Sequence, residues 1–123
     1  ETHLNELNVE PDYYDLIATG DLGFTGYSIV QDLFRKKGIC LKKNLYVDCG
    51  TIIYGKDPKV FSGASGCACS AIVTYGHFLN RMRRGELKRI LVAATGALLS
   101  PMSYQQKESI PGIAHAVSIE YIQ

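Results

Sequence analysis

No stretch of this chain stays apolar for the roughly 20 residues that a membrane-spanning helix needs. Its longest apolar runs, around Ile90 to Ala94 and Ala97 to Leu99, are interrupted by Thr95 and Gly96. No secretory signal peptide is visible, and the chain begins at Glu1 rather than methionine, so we expect a fragment with sequence upstream. An excess of either charge is also lacking: 13 Lys and Arg against 12 Asp and Glu leave a net charge of +1, which argues against a nucleic-acid footprint. The cluster Arg81, Arg83, Arg84, Lys88, Arg89 reads as a solvated helix end, with contact to anionic lipid or a partner as the lesser alternative. The four cysteines, Cys40, Cys49, Cys67 and Cys69, give no disulfide framework; the last two are too close in sequence for an easy bridge. A C-x-C pair without C-x₂-C spacing or nearby histidines is a weak zinc signal, so no metal is expected, and the thiols read as buried or semi-buried in a reducing compartment.

What is present is a globular composition, 46% hydrophobic and 20% charged over 123 residues, enough for one domain with a sizeable core. Thr2 to Leu7 reads as the tail of a helix. Asp15 to Gly20 is a short apolar run suited to a strand buried on both faces. The loop Gly20-Asp21-Leu22-Gly23 leads into a helix with Ile29, Val30, Leu33 and Phe34 on one stripe and Gly38 as its stop. Leu41 to Lys59 is irregular, and Tyr46 to Tyr54 reads either as a strand with a turn or as one loose connection. A second helix is predicted from about Cys67 to Arg84, with Ala68, Ile72, Tyr75, Leu79 and Met82 at helical spacing and Gly85 as its cap. Lys88 to Thr95 forms a second buried strand. Alternation from Ala116 places Val117, Ile119 and Tyr121 on one face of a last strand, with one covered and one wetter side. The order βα, link, αβ, β specifies an α/β layered domain with a mixed sheet.

The stretch Lys59 to Ala71 is a run of tiny residues opening into the second helix. Small residues expose free N–H groups at a helix start, and such a mouth favours a carboxylate or phosphate. Gly63-Ala64-Ser65-Gly66 and Ala94-Thr95-Gly96-Ala97 resemble the second half of the thiolase and ketosynthase superfamily, built from two similar halves with helices layered on five-stranded sheets. Asp15 to Leu22, Ser62 to Ala71, Ala94 to Pro101 and Gln105 to His115 together are similar to a sporulation branch of that superfamily. The resemblance implies that residues 1–123 are the C-terminal thiolase-like half-domain, of the five-stranded type. It further implies a non-catalytic protein that binds dipicolinic acid, alone or as its calcium chelate, and supports its uptake into the developing spore. The implied location is peripheral, on the cytoplasmic face of the forespore inner membrane beside other sporulation membrane proteins. A homodimer is implied for the full-length form.

In the superfamily the second half supplies a histidine whose place, counted back from Gly63, is taken here by Val60, which neither accepts a proton nor donates a hydrogen bond. The second polar partner belongs near Ala18 to Asp21, where no His or Asn stands. These departures imply lost catalysis and no cofactor. A flat aromatic dianion needs cations or clustered N–H donors for its carboxylates and apolar walls for its ring. The candidate ligand residues are Gly63, Ser65, Gly66 and Cys67 at the helix mouth, with Ser100, Gln105, Gln106, Lys107, Ser109 and His115 beyond the second strand. The polar segment Gln105 to Ser109 reads equally well as an exposed packing loop. Asp48 and Glu108 would repel a dianion unless they hold Lys107 or the backbone. His77 reads as a packed or surface residue, His3 as solvated, and His115 as fixing its loop. An acyltransferase with rearranged catalytic groups, using Cys67 or His115, and a scaffold subunit of a membrane complex are the alternatives.

Overall fold

The computed structural model describes residues 1–42, 44–55, 68–94, 101–109 and 112–122. Helix α1 (Thr2–Leu7) and a 3-10 turn (Pro11–Tyr13) precede β1 (Leu16–Thr19), α2 (Gly23–Lys36), β2 (Tyr46–Asp48) and α3 (Cys49–Tyr54). A long helix then runs as α4 (Cys69–Val73), a π-turn (Thr74–Phe78) and α5 (Leu79–Arg83), followed by β3 (Arg89–Ala94), α6 (Pro101–Gln106) and β4 (His115–Glu120). The described strands form one mixed sheet in the order β2-β1-β3-β4. The pairs β1–β2 and β1–β3 are parallel, and β3–β4 is antiparallel. This is the mixed α/β architecture that the strand and helix signals specify; the described residues supply four strands where the five-stranded type was expected.

Side chains alternate across the sheet, so each buried strand feeds two cores. Leu16 and Ala18 of β1 join Ile90 and Val92 of β3 against Cys49, Cys69, Val73, Phe78 and Met82. Ile17 and Leu91 point the other way and pack with Leu4, Tyr14, Leu45 and Tyr46, partly covered by Tyr27 and Val30 of α2. The sheet is thus a layer between the long helix with α3 on one face and α1 with α2 on the other.

Both long helices turn their apolar faces differently from the sequence reading. In α2 the expected stripe fails at Ile29 and Leu33, which are 53% and 51% exposed, while Tyr27 and Val30 face the core. In the long helix Ile72 and Tyr75 are exposed, and the buried set is Cys69, Val73, Phe78 and Met82. The five-residue step from Val73 to Phe78 would rotate Phe78 off the face of a regular helix; the π-turn absorbs the extra residue and keeps the stripe in line. Two further elements escaped the sequence pattern. Residues 49–54 are helical because Asp48 caps them, and 101–106 form an exposed helix in place of a polar loop.

The expected stops hold. Gly38 and Gly85 adopt φ of 76° and 75°, and each helix closes with the paired bonds of a left-handed cap, Gly38 N–H to Arg35 O with Ile39 N–H to Phe34 O, and Gly85 N–H to Met82 O with Glu86 N–H to Arg81 O. In β4 the face carrying Val117 and Tyr121 is not covered as the alternation predicts: both are exposed, and only Ile119 packs partly on the core.

Asp15 fixes the start of the sheet. Its backbone N–H donates to Arg89 O, and its carboxylate accepts the N–H groups of Lys88 (2.7 Å) and Arg89 (2.9 Å). Partial burial alone would raise its pKa, but the two N–H donors and the neighbouring cations outweigh that and hold it below the usual range. A depressed folded pKa contributes stability that is present above the unfolded value of about 3.9 and is lost as pH falls through the folded one. Asp15→Asn is therefore expected to flatten the fall in thermal stability below about pH 4, read by circular-dichroism melts from pH 7 to 2, while wild type loses stability steadily across that window.

Candidate functional site

Parallel strands align their carboxyl ends on one rim of the sheet. Here β1 ends at Thr19, β2 at Asp48 and β3 at Ala94, and antiparallel β4 starts at His115 opposite Ala94. From β1 the chain passes to β2 on one side, and β3 adds on the other. The switch point where α/β sheets bind ligands therefore lies at the carboxyl ends of β1 and β3.

Asp48 organises this rim. It is fully buried, and each of its carboxylate oxygens accepts two hydrogen bonds. Oδ2 takes the Thr19 hydroxyl at 2.7 Å and Leu22 N–H at 2.9 Å; Oδ1 takes Gly23 N–H at 3.1 Å and Thr51 N–H at 3.2 Å. The side chain thereby caps α3 and satisfies donors at the mouth of α2, the anion-favouring end of that helix. The Thr51 hydroxyl returns a bond to Asp48 O at 2.8 Å. Because the Thr19 proton is committed to Asp48, the Tyr46 phenol donates to Thr19 Oγ1 at 3.0 Å. Burial, above all, pushes the Tyr46 phenol up to about 12, so it stays a donor at neutral pH. Tyr27 stacks on its ring at 4.8 Å between centroids. Of the two partners considered for Asp48, the backbone is the one it holds, and its charge is spent on internal donors. The entry to α2 needs glycine: Gly23 has φ 66°, and in the helix's first turn a Cβ on Gly26 would stand 2.7 Å from Leu22 Cβ.

Two thiols flank the carboxylate. Cys49 follows Asp48 directly and Cys69 opens α4; they are 0% and 3% exposed. Burial first, then the charges of Cys69, Asp48 and Asp21, push the Cys49 thiol up to about 12. Burial, with Asp21 and Asp48, takes Cys69 to about 11. Both are neutral thiols at physiological pH and poor nucleophiles. The burial expected of the cysteines fails at Cys40, which is exposed. Among the described residues no three His, Cys, Asp or Glu side chains gather as a metal-ligand set.

The remaining candidates belong to the connection between β3 and β4, which leaves and re-enters the sheet on this rim. Gln105, Gln106, Lys107, Ser109 and His115 are all exposed. Helix α6 closes with Lys107 N–H on Tyr104 O and Glu108 N–H on Ser103 O, the same left-handed cap as at Gly38 and Gly85. Lys107, with φ 56°, occupies the position that favours glycine, at a cost of roughly 1 kcal/mol. Gly63, Ser65, Gly66, Cys67 and Ser100, together with Val60, lie outside the described residues. Of the other histidines, His77 is exposed beside Phe78. His3, expected to be solvated, is instead half-buried and 2.9 Å from the Tyr14 hydroxyl. The sequence reading pointed to the backbone as a partner of Asp48 but not to its role in capping α3 and joining three elements. The signal it missed was Asp48 three residues before Thr51, an N-cap spacing.

Asp48→Asn replaces one acceptor oxygen with a donor facing N–H groups, and is expected to destabilise the fold by about 3 kcal/mol in urea denaturation. In the native state Cys40 is expected to alkylate with iodoacetamide at pH 7, and Cys49 and Cys69 only after unfolding, as read by peptide mass mapping.

A family model for stage V sporulation protein AD matches residues 1–120. The curated stage V sporulation protein AD of Bacillus subtilis (strain 168) is 52% identical over 118 residues, an alignment covering 96% of this chain and 35% of that protein. The chain thus spans about a third of the length of the curated relative it matches. The buried Asp48 hub, the glycine-bearing loop it closes and the β3–β4 connection all fall inside the matched region, and the chain belongs to the stage V sporulation protein AD family.

Proposed function

We propose that this chain is part of a non-catalytic, thiolase-like sporulation protein that binds dipicolinic acid, free or as its calcium chelate, for uptake into the developing spore. The observation that carries the reading is the state of the rim. Its buried carboxylate is consumed by four internal donors, and its two described thiols are held neutral by burial. A rim whose fully buried carboxylate, Asp48, is internally satisfied, with an exposed cation and amides in the adjoining connection, suits recognition of a dianion better than acyl transfer, which needs an activated nucleophile. Lys107 supplies the charge, Gln105, Gln106 and Ser109 supply donors, and His115 stands at the start of β4. Gly63, Ser65, Gly66, Cys67 and Ser100 complete the proposed ligand set, and Val60 in place of a histidine agrees with the loss of proton transfer.

The proposal includes a peripheral location on the cytoplasmic face of the forespore inner membrane, contact with other sporulation membrane proteins, and a homodimer of the full-length form. No described helix is long and apolar enough to cross a membrane.

Calorimetric titration of the full chain with dipicolinate, with and without calcium, tests the ligand. Saturable binding is expected, weakened roughly tenfold or more by Lys107→Ala through loss of a charge-assisted hydrogen bond. No heat at millimolar ligand, or an acyl adduct by mass spectrometry after incubation with acyl-coenzyme A, overturns the reading.

A further inference from the structure

The pole of the sheet opposite the rim has a different chemistry. β3 starts there at Arg89 and β4 ends there at Glu120, about 20 Å from the carboxyl ends given six-residue strands. The end of the long helix and the turn into β3 bring Arg83, Arg84, Gly85, Leu87 and Lys88 around a concavity of about 380 Å³, with Tyr121 as its remaining wall. Among the described residues, three cations line it, Arg84 of them paired with Glu86, and no carboxylate does. Of the acids nearby, Glu86 bonds Arg81 at 2.9 Å and Arg84 at 2.6 Å, Asp15 accepts two backbone N–H groups, and Glu120 stands opposite Arg89 in the β3–β4 pair. Arg83 and Lys88 form no ion pair with any described residue. Beside the cations the chain presents apolar surface, with Tyr121 44% and Ile122 86% exposed. Tyr121 is held in place by its N–H bond to Lys88 O at 2.9 Å.

Exposed arginine and lysine interleaved with an exposed tyrosine and isoleucine match the membrane–water boundary, where phosphates meet cations and amphipathic rings sit at headgroup level. A soluble acidic partner would satisfy the cations but leave Ile122 without an apolar counterpart. We propose that this pole docks on an anionic membrane, with Arg83, Arg84 and Lys88 taking lipid phosphates in the concavity and Tyr121 and Ile122 resting among the headgroups. The assignment rests on the peripheral location proposed above and adds the face that meets the lipid. Docking through this pole turns the carboxyl-end rim away from the bilayer, leaving it open to ligand.

The test is flotation of the full chain with phosphatidylcholine vesicles, alone or mixed with phosphatidylglycerol, alongside the double variant R83E/K88E and the variant I122S. Both alter exposed positions, and circular dichroism checks that they fold. Wild type is expected to float with the anionic vesicles only and to be released at about 0.5 M salt, where exposed charges are screened. R83E/K88E should lose the floated fraction at least roughly tenfold, and I122S should lower it at unchanged salt dependence. Dipicolinate heats should be unchanged in both variants, which separates this docking from the ligand reading. Flotation of R83E/K88E equal to wild type overturns the face while sparing the peripheral location. Pelleting with native membranes without flotation on lipid puts an acidic protein in the lipid's place and overturns the proposal. No association with either removes the location as well.

Discussion

One buried carboxylate, Asp48, sets the geometry at the carboxyl ends of the strands. A charge without solvent is costly unless its lone pairs meet donors. The four donors that meet them come from the end of β1, the start of α2 and the first turn of α3. Those segments cannot separate without stranding the charge. The Tyr46 hydroxyl extends the chain of bonds through Thr19 and ties the interior of the sheet to the same point. Because this carboxylate occupies the positive end of α2, the anion-favouring end of that helix is filled from within the fold.

That arrangement determines what chemistry the rim supports. Internal negative charge and burial both oppose thiolate formation at Cys49 and Cys69, so the described sulfurs serve as small packing groups in the core they share with Phe78 and Met82. The proposed recognition therefore falls to the β3–β4 connection, where Lys107 occupies the left-handed position that closes α6. At the opposite pole Arg83 and Lys88, in no ion pair with a described residue, stand near the exposed Tyr121 and Ile122. The two ends of one layer thus differ in charge and wetness, which gives the molecule a direction as well as a fold.

Local signals were readable where one residue decides the outcome. Gly38 and Gly85 ended their helices as expected, because a left-handed cap is nearly free only for glycine. The runs at Leu16 and Ile90 read correctly as strands buried on both faces. Helix faces were less legible. The long helix carries apolar residues on both sides, so regular spacing favoured Ala68, Ile72 and Tyr75, and nothing local announced the π-turn that selects Val73 and Phe78 instead. Helix α3 was hidden because its cap is also the last residue of a three-residue strand, where the two periodicities overlap.

By itself the sequence determined the order of the longer elements, the two-sided burial of β1 and β3, the helix stops and the family, since each depends on a short run of residues and its immediate neighbours. Only the tertiary structure decided which stripe of each helix faces the sheet, that Asp48 joins three elements rather than facing a ligand, and that Arg83 and Lys88 share a concavity with Tyr121. The bonds from Leu22 and Gly23 to Asp48, and the concavity that Arg83 shares with Tyr121, join residues 25 to 38 positions apart in the chain. They exist only once strand pairing has fixed the register and brought distant side chains within a few ångströms, and no local pattern encodes that closure.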